Sequence, residues 1–398
     1  MFSLAVASFI CMEIKNIPEV ATRIIIALRN GERIILCGDA DLDGAASVII
    51  LKEAIEILAP HQYKLLEVYF PNREKEGYGL NLIALKQLKD KAPALLITLD
   101  CGIGNVREVE LAKKMGFEVI IIDHHEILPE VPKASIIIDP KQKSDPYPFK
   151  EFACAGIVYK LVKFLLQSVE KSYKPEKFLE LVMLATLADQ MPLKEENEKL
   201  VTDGILSLKY TKRPGIKALM ELTEFRDGET EEIRKKILFP LNKAGLDNHL
   251  HVAYLLLTEN SDNKAKKFAR ELLIKSTKKR GEVEVIYNEI ESRIANYSSS
   301  PDIIFEGNSS WPLALVGAAA SKICRKYQKP AFLFKIDKKE SVGSVKVPSG
   351  GNAVKAMNSC RKLLKTYGGH PQAAGFRIEN ENLEKFKNCL IKYYKESR

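Results

Sequence analysis

Five short runs of aliphatic and β-branched residues punctuate the first 139 positions: Arg33–Leu36, Leu65–Phe70, Ala94–Leu99, Val119–Ile122 and Ile136–Asp139. Stretches of helical character separate them. Strands that read as continuous apolar runs are buried on both faces, and strands alternating with helices form a parallel sheet with helices on either side. The expected fold class is therefore α/β. In open sheets of this kind ligands bind in the loops at the carboxyl edge. Three such loops carry acids, one of them followed by two histidines: Asp39-Ala40-Asp41-Leu42-Asp43-Gly44, Asp100-Cys101-Gly102 and Asp123-His124-His125.

From about Phe152 the pattern turns helical, through Leu161–Val169, Phe178–Ala188 and Asn197–Lys209, and a further acid, Asp189, ends the second of these helices. Asp262–Tyr297, rich in Lys, Arg, Glu and spaced aliphatics, predicts one long, largely solvated helix that stops at Ser298-Ser299-Ser300-Pro301. Ile303–Arg398 regains strand-like runs such as Ala331–Ile336, with glycine-rich turns expected at Gly350-Gly351 and Gly368-Gly369. This gives three segments: 1–195, 196–299 as a helical connector, and 300–398 as a second compact domain. The lipophilic stretch Met1–Cys11 is too short to span a bilayer and is read as an element docked on the fold, with translation starting at Met12 as the alternative.

Seven cysteines, Cys11, Cys37, Cys101, Cys154, Cys324, Cys360 and Cys389, stand singly with no C-x-x-C pair. That spacing argues against a disulfide framework or a zinc–thiolate site and suits the reducing cytoplasm. The 61 basic against 52 acidic residues leave +9, an excess that favours a polyanionic partner without proving one.

Carboxylates and imidazoles are the ligands of Mn²⁺ or Mg²⁺, and two such ions can stabilise both the attacking and the leaving oxygen of a phosphoryl displacement. Asp41, Asp43, Asp100, His124 and Asp189 supply the set that such a site needs, with Asp39, Asp123 and His125 as further ligands or supports. A single Asp after a strand is more often a helix N-cap than a ligand. Recurrence shifts the balance, because acids at three strand ends would repel unless cations neutralised them.

Asp41-Leu42-Asp43-Gly44, Asp100-Cys101-Gly102, Asp123-His124-His125, and Asp189 with Pro192 three residues on resemble the four motifs of the DHH phosphoesterase superfamily. Gly368-Gly369-His370-Pro371-Gln372-Ala373-Ala374-Gly375-Phe376 resembles the signature of the DHH-associated C-terminal domain. Several stretches are similar to RecJ-type single-strand exonucleases: Pro71-Asn72-Arg73, Glu76-Gly77-Tyr78-Gly79-Leu80, Tyr147-Pro148-Phe149-Lys150, Arg213-Pro214-Gly215, Asn242-Lys243-Ala244-Gly245, Trp311, Gly317, Ala320-Ser321 and Gly343-Ser344. The resemblance implies a parallel-sheet DHH catalytic domain, a helical connector and a smaller α/β domain, with a single strand of DNA, or of RNA, threading the cleft.

It further implies that Asp39, Asp41, Asp43, Asp100, His124 and Asp189 bind two Mn²⁺ or Mg²⁺ ions, with Asp100 the bridge. His125 would sit on the scissile phosphate, with Asp123 orienting an imidazole. Gly368, Gly369, His370, Lys346 and Arg73 would grip the substrate, and His370, in the phosphate-gripping domain, would supply no metal ligand. Lys278-Lys279-Arg280 would either line the strand's path or form a solvated helix face. Pro312, Lys346 and Leu246 depart from the pattern where His, Arg and Arg are usual, and each departure alters a potential phosphate contact. Replication or repair proteins are the expected partners. A phosphodiesterase for short oligonucleotides or cyclic dinucleotides and a replication-associated binding subunit are the rival readings.

Overall fold

The computed structural model describes residues 13–60, 65–73, 76, 79–167, 174–226, 229–242, 246–247, 250–296 and 301–396. Cys11 and the rest of Met1–Met12, Gly77-Tyr78, Lys243-Ala244-Gly245 and Ser298–Ser300 lie outside them. The chain begins with α1 (Ile17–Asn30), β1 (Ile34–Gly38), α2 (Leu42–Leu58), β2 (Leu66–Tyr69), α3 (Leu82–Leu88), β3 (Ala94–Leu99), α4 (Val106–Lys114), β4 (Phe117–Ile122) and β5 (Ile136–Ile138). These strands form one parallel sheet in the order β2-β1-β3-β4-β5.

The α/β expectation is met, and the reason is visible in the strands. Ile34, Leu36, Leu95, Ile97, Leu99, Ile120 and Ile122 face one core, packed with α1 and α2. Their neighbours Ile35, Cys37, Leu96, Val119 and Ile121 face the other, covered by α3 and α4. A strand buried on both faces has no use for alternation, hence the continuous apolar runs. After β1 the chain pairs outward to β2 and then crosses back to β3, so the loops after β1 and β3 leave the sheet in opposite directions and open a crevice between them.

Helices α5 (Cys154–Gln167), α6 (Leu179–Ala188), α7 (Glu195–Lys209), α8 (Pro214–Leu222), α9 (Thr230–Ile233) and α10 (Phe239–Asn242) come next, then the short pair β6 (Leu246–Asp247) and β7 (Leu250–His251), α11 (Val252–Thr258) and α12 (Asp262–Ala295). The expected long helix is present: α12 has 34 residues, about 51 Å at 1.5 Å per residue. Ser261 caps it by accepting from the Lys264 N–H. Ala265, Ala269 and Leu272 are buried in the first core, and Ile286 and Ile290 in the second domain. Of its basic run, Arg280 lies over the Phe239 ring at 5.3 Å.

The second domain comprises β8 (Ile304–Asn308), α13 (Leu313–Tyr327), β9 (Ala331–Ile336), β10 (Glu340–Lys346), α14 (Ala353–Ser359), β11 (Leu364–His370), β12 (Ala373–Glu379) and α15 (Leu383–Glu396). Its sheet runs β11-β12-β10-β9-β8, antiparallel except for β8 and β9. Two expectations are corrected here. Gly368 and Gly369 belong to strand β11 rather than to a turn; the chain reverses at Pro371-Gln372, between β11 and β12. Cys360 and Cys389 form a disulfide, because the fold lays the end of α14 against α15, a proximity that a separation of 29 residues does not betray. Among the described residues, Cys37, Cys101, Cys154 and Cys324 are free and buried, and no helix is long and apolar enough to cross a membrane.

Trp311, the single tryptophan, is buried at the seam between α12 and the second sheet, and its Nε1–H donates to Glu289 Oε2 of α12 at 2.8 Å. Trp311→Phe keeps most of the apolar contact and loses this charge-assisted bond, so it is expected to lower unfolding free energy by about 1–2 kcal/mol, read from the denaturant midpoint by far-UV circular dichroism.

Candidate metal centre and catalytic site

Asp39 continues β1, and its N–H donates to Leu99 O across the crevice at 3.0 Å. Asp41 is the N-cap of α2, where its Oδ1 accepts from the Gly44 N–H at 3.0 Å. A Cβ on Gly44 would stand 2.3 Å from Asp39 O, so only glycine lets this turn close. Asp43, in the first turn of α2, is fully buried and accepts from the N–H groups of Cys154 (2.7 Å) and Ala155 (2.8 Å) at the start of α5. Asp100 follows β3 in a left-handed conformation with φ 65°. Its N–H is shared between Ile122 O and Cys154 Sγ.

Asp123 and the two histidines follow β4. Asp123 Oδ2 accepts from the Ile103 N–H at 3.0 Å, and Oδ1 accepts from His125 Nδ1–H at 2.7 Å and the His124 N–H at 2.8 Å. The buried His124 ring lies with Nδ1 2.6 Å from Phe152 O. A carbonyl only accepts, so Nδ1 carries the proton, and in the neutral ring Nε2 presents a lone pair. That nitrogen faces Asp100 Oδ1 at 3.0 Å, Asp43 Oδ2 at 3.5 Å and Asp189 Oδ2 at 3.5 Å. His124 Nε2 and Asp100 Oδ1 are both buried without a hydrogen-bond partner.

Four groups that offer only electron pairs once the carboxyls are ionised thus converge on one spot. Ligand atoms of Asp43, Asp100, His124 and Asp189 all lie within 4.8 Å of one another, and so do those of Asp39, Asp41 and Asp100. Asp100 belongs to both groups. This donor set suits two hard divalent cations, and a histidine whose other nitrogen donates to a backbone carbonyl is the usual form of a metal-ligating imidazole.

Electrostatics support the same reading. Burial, with Asp189 beside it, pushes the Asp43 carboxyl up to about 7, and burial with Asp43, Asp41 and Asp189 around it raises Asp100 well above the usual range. Burial opposes ionisation of Asp123 too, but the His125 charge and hydrogen bond hold it well below. Reciprocally, Asp123 outweighs burial at His125 and lifts it to about 9, so that His125 is an imidazolium at neutral pH.

The substrate candidates fall into two sets. Arg73 donates to Asp39 Oδ2 and Asp41 Oδ2, both at 2.7 Å, so it sits on the outer acids. His370, from the second domain, reaches the first domain's site: its ring stacks on His125 at 4.3 Å and 18°, and its Nε2 is 3.6 Å from Asp189 Oδ2. The reason is a contact between the domains, in which the Glu126 N–H donates to Gly369 O at 3.4 Å and Leu128 packs on the second domain's core. Gly368 has open space around it. Lys346 ends β10, and burial holds its ammonium below the usual range against the attraction of Asp189.

Three participants were not singled out from sequence. Asp139, one residue past β5, is buried with Oδ2 unpaired, and burial with Asp123 nearby pushes it up to about 7. Its place at a fifth strand end was the available signal. His251 is buried with Nδ1 unpaired, and burial, against Asp41, lowers it to about 4. Cys154 holds the Asp100 N–H, and a thiol in that role has no sequence signature.

Comparison with known proteins matches residues 33–186 to the DHH family, N-terminal domain, and residues 300–396 to the DHHA1 domain. The chain is 32% identical over 382 residues to the single-stranded-DNA-specific exonuclease RecJ of Bacillus subtilis, covering 95% of this chain and 48% of that protein. It therefore spans about half the length of that relative. Among solved structures, an exonuclease RecJ bound to manganese superposes with a TM-score of 0.75 at 25% identity, covering 97% of this chain and 96% of the other. RecJ of Thermus thermophilus in complex with Mn²⁺ shares the fold, with a TM-score of 0.80 at 24% identity over 96% of this chain and 55% of the other.

A metal that binds ionised ligands must displace the proton that Asp43, pushed up to about 7, still partly holds near neutrality, and the upward shift of Asp100 under burial and its neighbouring acids acts in the same direction. The stabilisation conferred by Mn²⁺ is therefore expected to grow as pH rises from about 5.5 to 8 and to shrink as it falls. Melting temperatures with and without Mn²⁺ across that series measure it; an increment that is flat with pH would contradict the assignment. Asp100→Asn should remove most of the increment at every pH while the metal-free protein remains folded, because a neutral amide relieves repulsion among the acids.

Proposed function

This chain pairs a DHH-family N-terminal domain with a DHHA1 domain and is homologous to RecJ, and from that premise we propose that it hydrolyses the phosphodiester bonds of single-stranded nucleic acid from an end, releasing mononucleotides with the help of two Mn²⁺ or Mg²⁺ ions. The observation that carries the proposal is the convergence of His124 Nε2 with Asp43, Asp100 and Asp189, an arrangement of lone pairs that bound cations would reconcile once the carboxyls are ionised. Asp41, Asp43, Asp100, His124 and Asp189 would hold the ions, with Asp100 common to both. Two such ions, when bound, supply activation of water and neutralisation of the charge that builds on a phosphoryl group.

The protein's own groups do the rest. Asp123 holds His125 by its Nδ1–H, which leaves Nε2–H of the imidazolium free to donate to a phosphate oxygen as negative charge develops. His370, stacked on that ring, comes from the other domain, so a phosphate at this point touches both walls of the cleft. Gly368, with open space around it, and Gly369 beside it would let backbone approach an anion, and Lys346 adds a cation near Asp189. Arg73 would pass from Asp39 and Asp41 to the substrate or remain to orient them. DNA is the substrate favoured by the relatives' names, with RNA as a second candidate, and replication or repair proteins are the partners in keeping with such an activity.

The test is digestion of one oligonucleotide set, labelled at either end and offered as single-stranded DNA, RNA and blunt duplex. Single strands should be degraded much faster than duplex with Mn²⁺ present, and a chelator should abolish turnover; equal rates on both forms would contradict a threading cleft. His125→Ala is expected to lower kcat by about 100-fold or more. His370→Ala should raise KM and, because its Nε2 lies beside Asp189, also raise the Mn²⁺ concentration needed for half-maximal rate.

A further inference from the structure

The sequence stretch Arg213-Pro214-Gly215 has no place in the cleft, yet the structure gives it a specific task. Asp43 lies at the start of α2 and Asp189 is the residue at the C-terminal end of α6, and both approach His124 Nε2 at 3.5 Å. Ten residues further along α2 stands Glu53, and nine residues before Asp189 on α6 stands Glu180. At 1.5 Å per residue these positions are about 15 and 13.5 Å from the acids at the other end. They meet as well: Arg213 Nη1 binds Glu53 Oε1 at 2.7 Å and Nε binds Glu180 Oε1 at 3.0 Å. Helices α2 and α6 are thus an antiparallel pair with acids facing each other at both ends.

At the far end the counter-ion is a guanidinium. The three side chains are largely withdrawn from water, with Arg213 13%, Glu180 4% and Glu53 22% exposed, so the charges are poorly screened. Lys177 adds a second cation on Glu53 Oε2 at 3.2 Å, but it does not serve Glu180. Arg213 is itself held from behind. It is the N-cap of α8 with Pro214 in the first turn, it donates to Leu257 O at 3.1 Å, and a Cβ on Gly215 would lie 2.1 Å from Leu256 O, so α8 is pressed directly onto α11. A planar fork that spans two carboxylates on two helices is something arginine offers and lysine does not.

We propose that Arg213 is a positioning residue for the metal ligands: by binding Glu53 and Glu180 together it sets the separation of α2 and α6, and through them the distance between Asp43 and Asp189. The inference rests on the metal-dependent reading above. If the helices parted at the Arg213 end, they would pivot on their packed middle and displace Asp43 relative to Asp189. Cation binding would then have to restore the spacing as well as displace protons. Coupling of this kind is reciprocal, so bound metal must also strengthen the helix pair that Arg213 clamps.

The experiment uses the full chain, with Mn²⁺ binding measured by equilibrium dialysis and melting measured with and without Mn²⁺, for wild type, Arg213→Gln, Arg213→Lys and Arg213→Gln combined with Glu180→Gln. Arg213→Gln is expected to weaken Mn²⁺ binding about tenfold, within the span typical of coupled sites, and to reduce the Mn²⁺-dependent rise in melting temperature. The double variant, which removes the repulsion that Arg213 offset, should recover most of the affinity. A folded Arg213→Gln protein with wild-type Mn²⁺ affinity, or one merely less stable with an undiminished Mn²⁺ increment, would overturn the inference. Should Arg213→Gln fail to fold, Arg213→Lys decides: it keeps the charge but reaches one carboxylate, and unchanged Mn²⁺ affinity in it overturns the inference equally. A wild type that binds no Mn²⁺ would instead overturn the metal-dependent function, and the positioning role with it.

Discussion

The backbone of Phe152–Ala155 is the point on which the site depends. Its N–H groups at Cys154 and Ala155 donate to the two oxygens of Asp43, its carbonyl at Phe152 accepts from His124 Nδ1–H, and the Cys154 thiol accepts from the Asp100 N–H while donating to Ile122 O. Three separate acid-bearing loops are thereby fixed by four consecutive residues. A helix start is suited to this because its first N–H groups have no partners within the helix and carry partial positive charge. The arrangement keeps Asp43 in place at a position where burial and neighbouring acids would otherwise favour rearrangement.

Much of the fold was legible because each feature had a local cause. The runs Arg33–Leu36, Ala94–Leu99 and Val119–Ile122 mark strands buried on both sides, observed as Ile34–Gly38, Ala94–Leu99 and Phe117–Ile122, and the acids that follow mark the ligand edge. What escaped was carried by contacts without a sequence signature. The Phe152–Ala155 segment acts through backbone atoms, which every residue possesses. Arg73 looks from sequence like a free cation for phosphate, but the fold sets it against Asp39 and Asp41. Gly368-Gly369 suggests a turn, yet pairing with Gly375 and Ala374 draws both glycines into a strand and leaves reversal to the next residues. The Cys360–Cys389 disulfide and the stacking of His370 on His125 both depend on distant segments meeting, which spacing along the chain does not encode.

The two domains contribute unequally but inseparably to the centre. The first supplies every carboxylate; the second supplies one imidazole ring placed over another, with the Glu126–Gly369 backbone bond and Leu128 holding the approach. Burial and the neighbouring His125 and His124 lower His370 to about 3, so at neutral pH it is an uncharged ring lying against a charged one. Stacking of this kind places polar edges side by side without adding like charge to like charge.

Helix α12 connects these halves without a break, anchored in one core through Ala265, Ala269 and Leu272 and in the other through Ile286 and Ile290, while Thr277, Lys278, Gly281, Glu282 and Val285 between them are exposed. In a continuous helix each residue adds 1.5 Å and rotates the chain beyond it by about 100°. One residue gained or lost in that middle stretch would therefore swing the second domain more than a quarter turn around the helix axis and carry His370 away from His125. The stretch is tolerant in its letters and intolerant in its count: side chains there can drift, but their number is fixed by the phase that the two ends must keep.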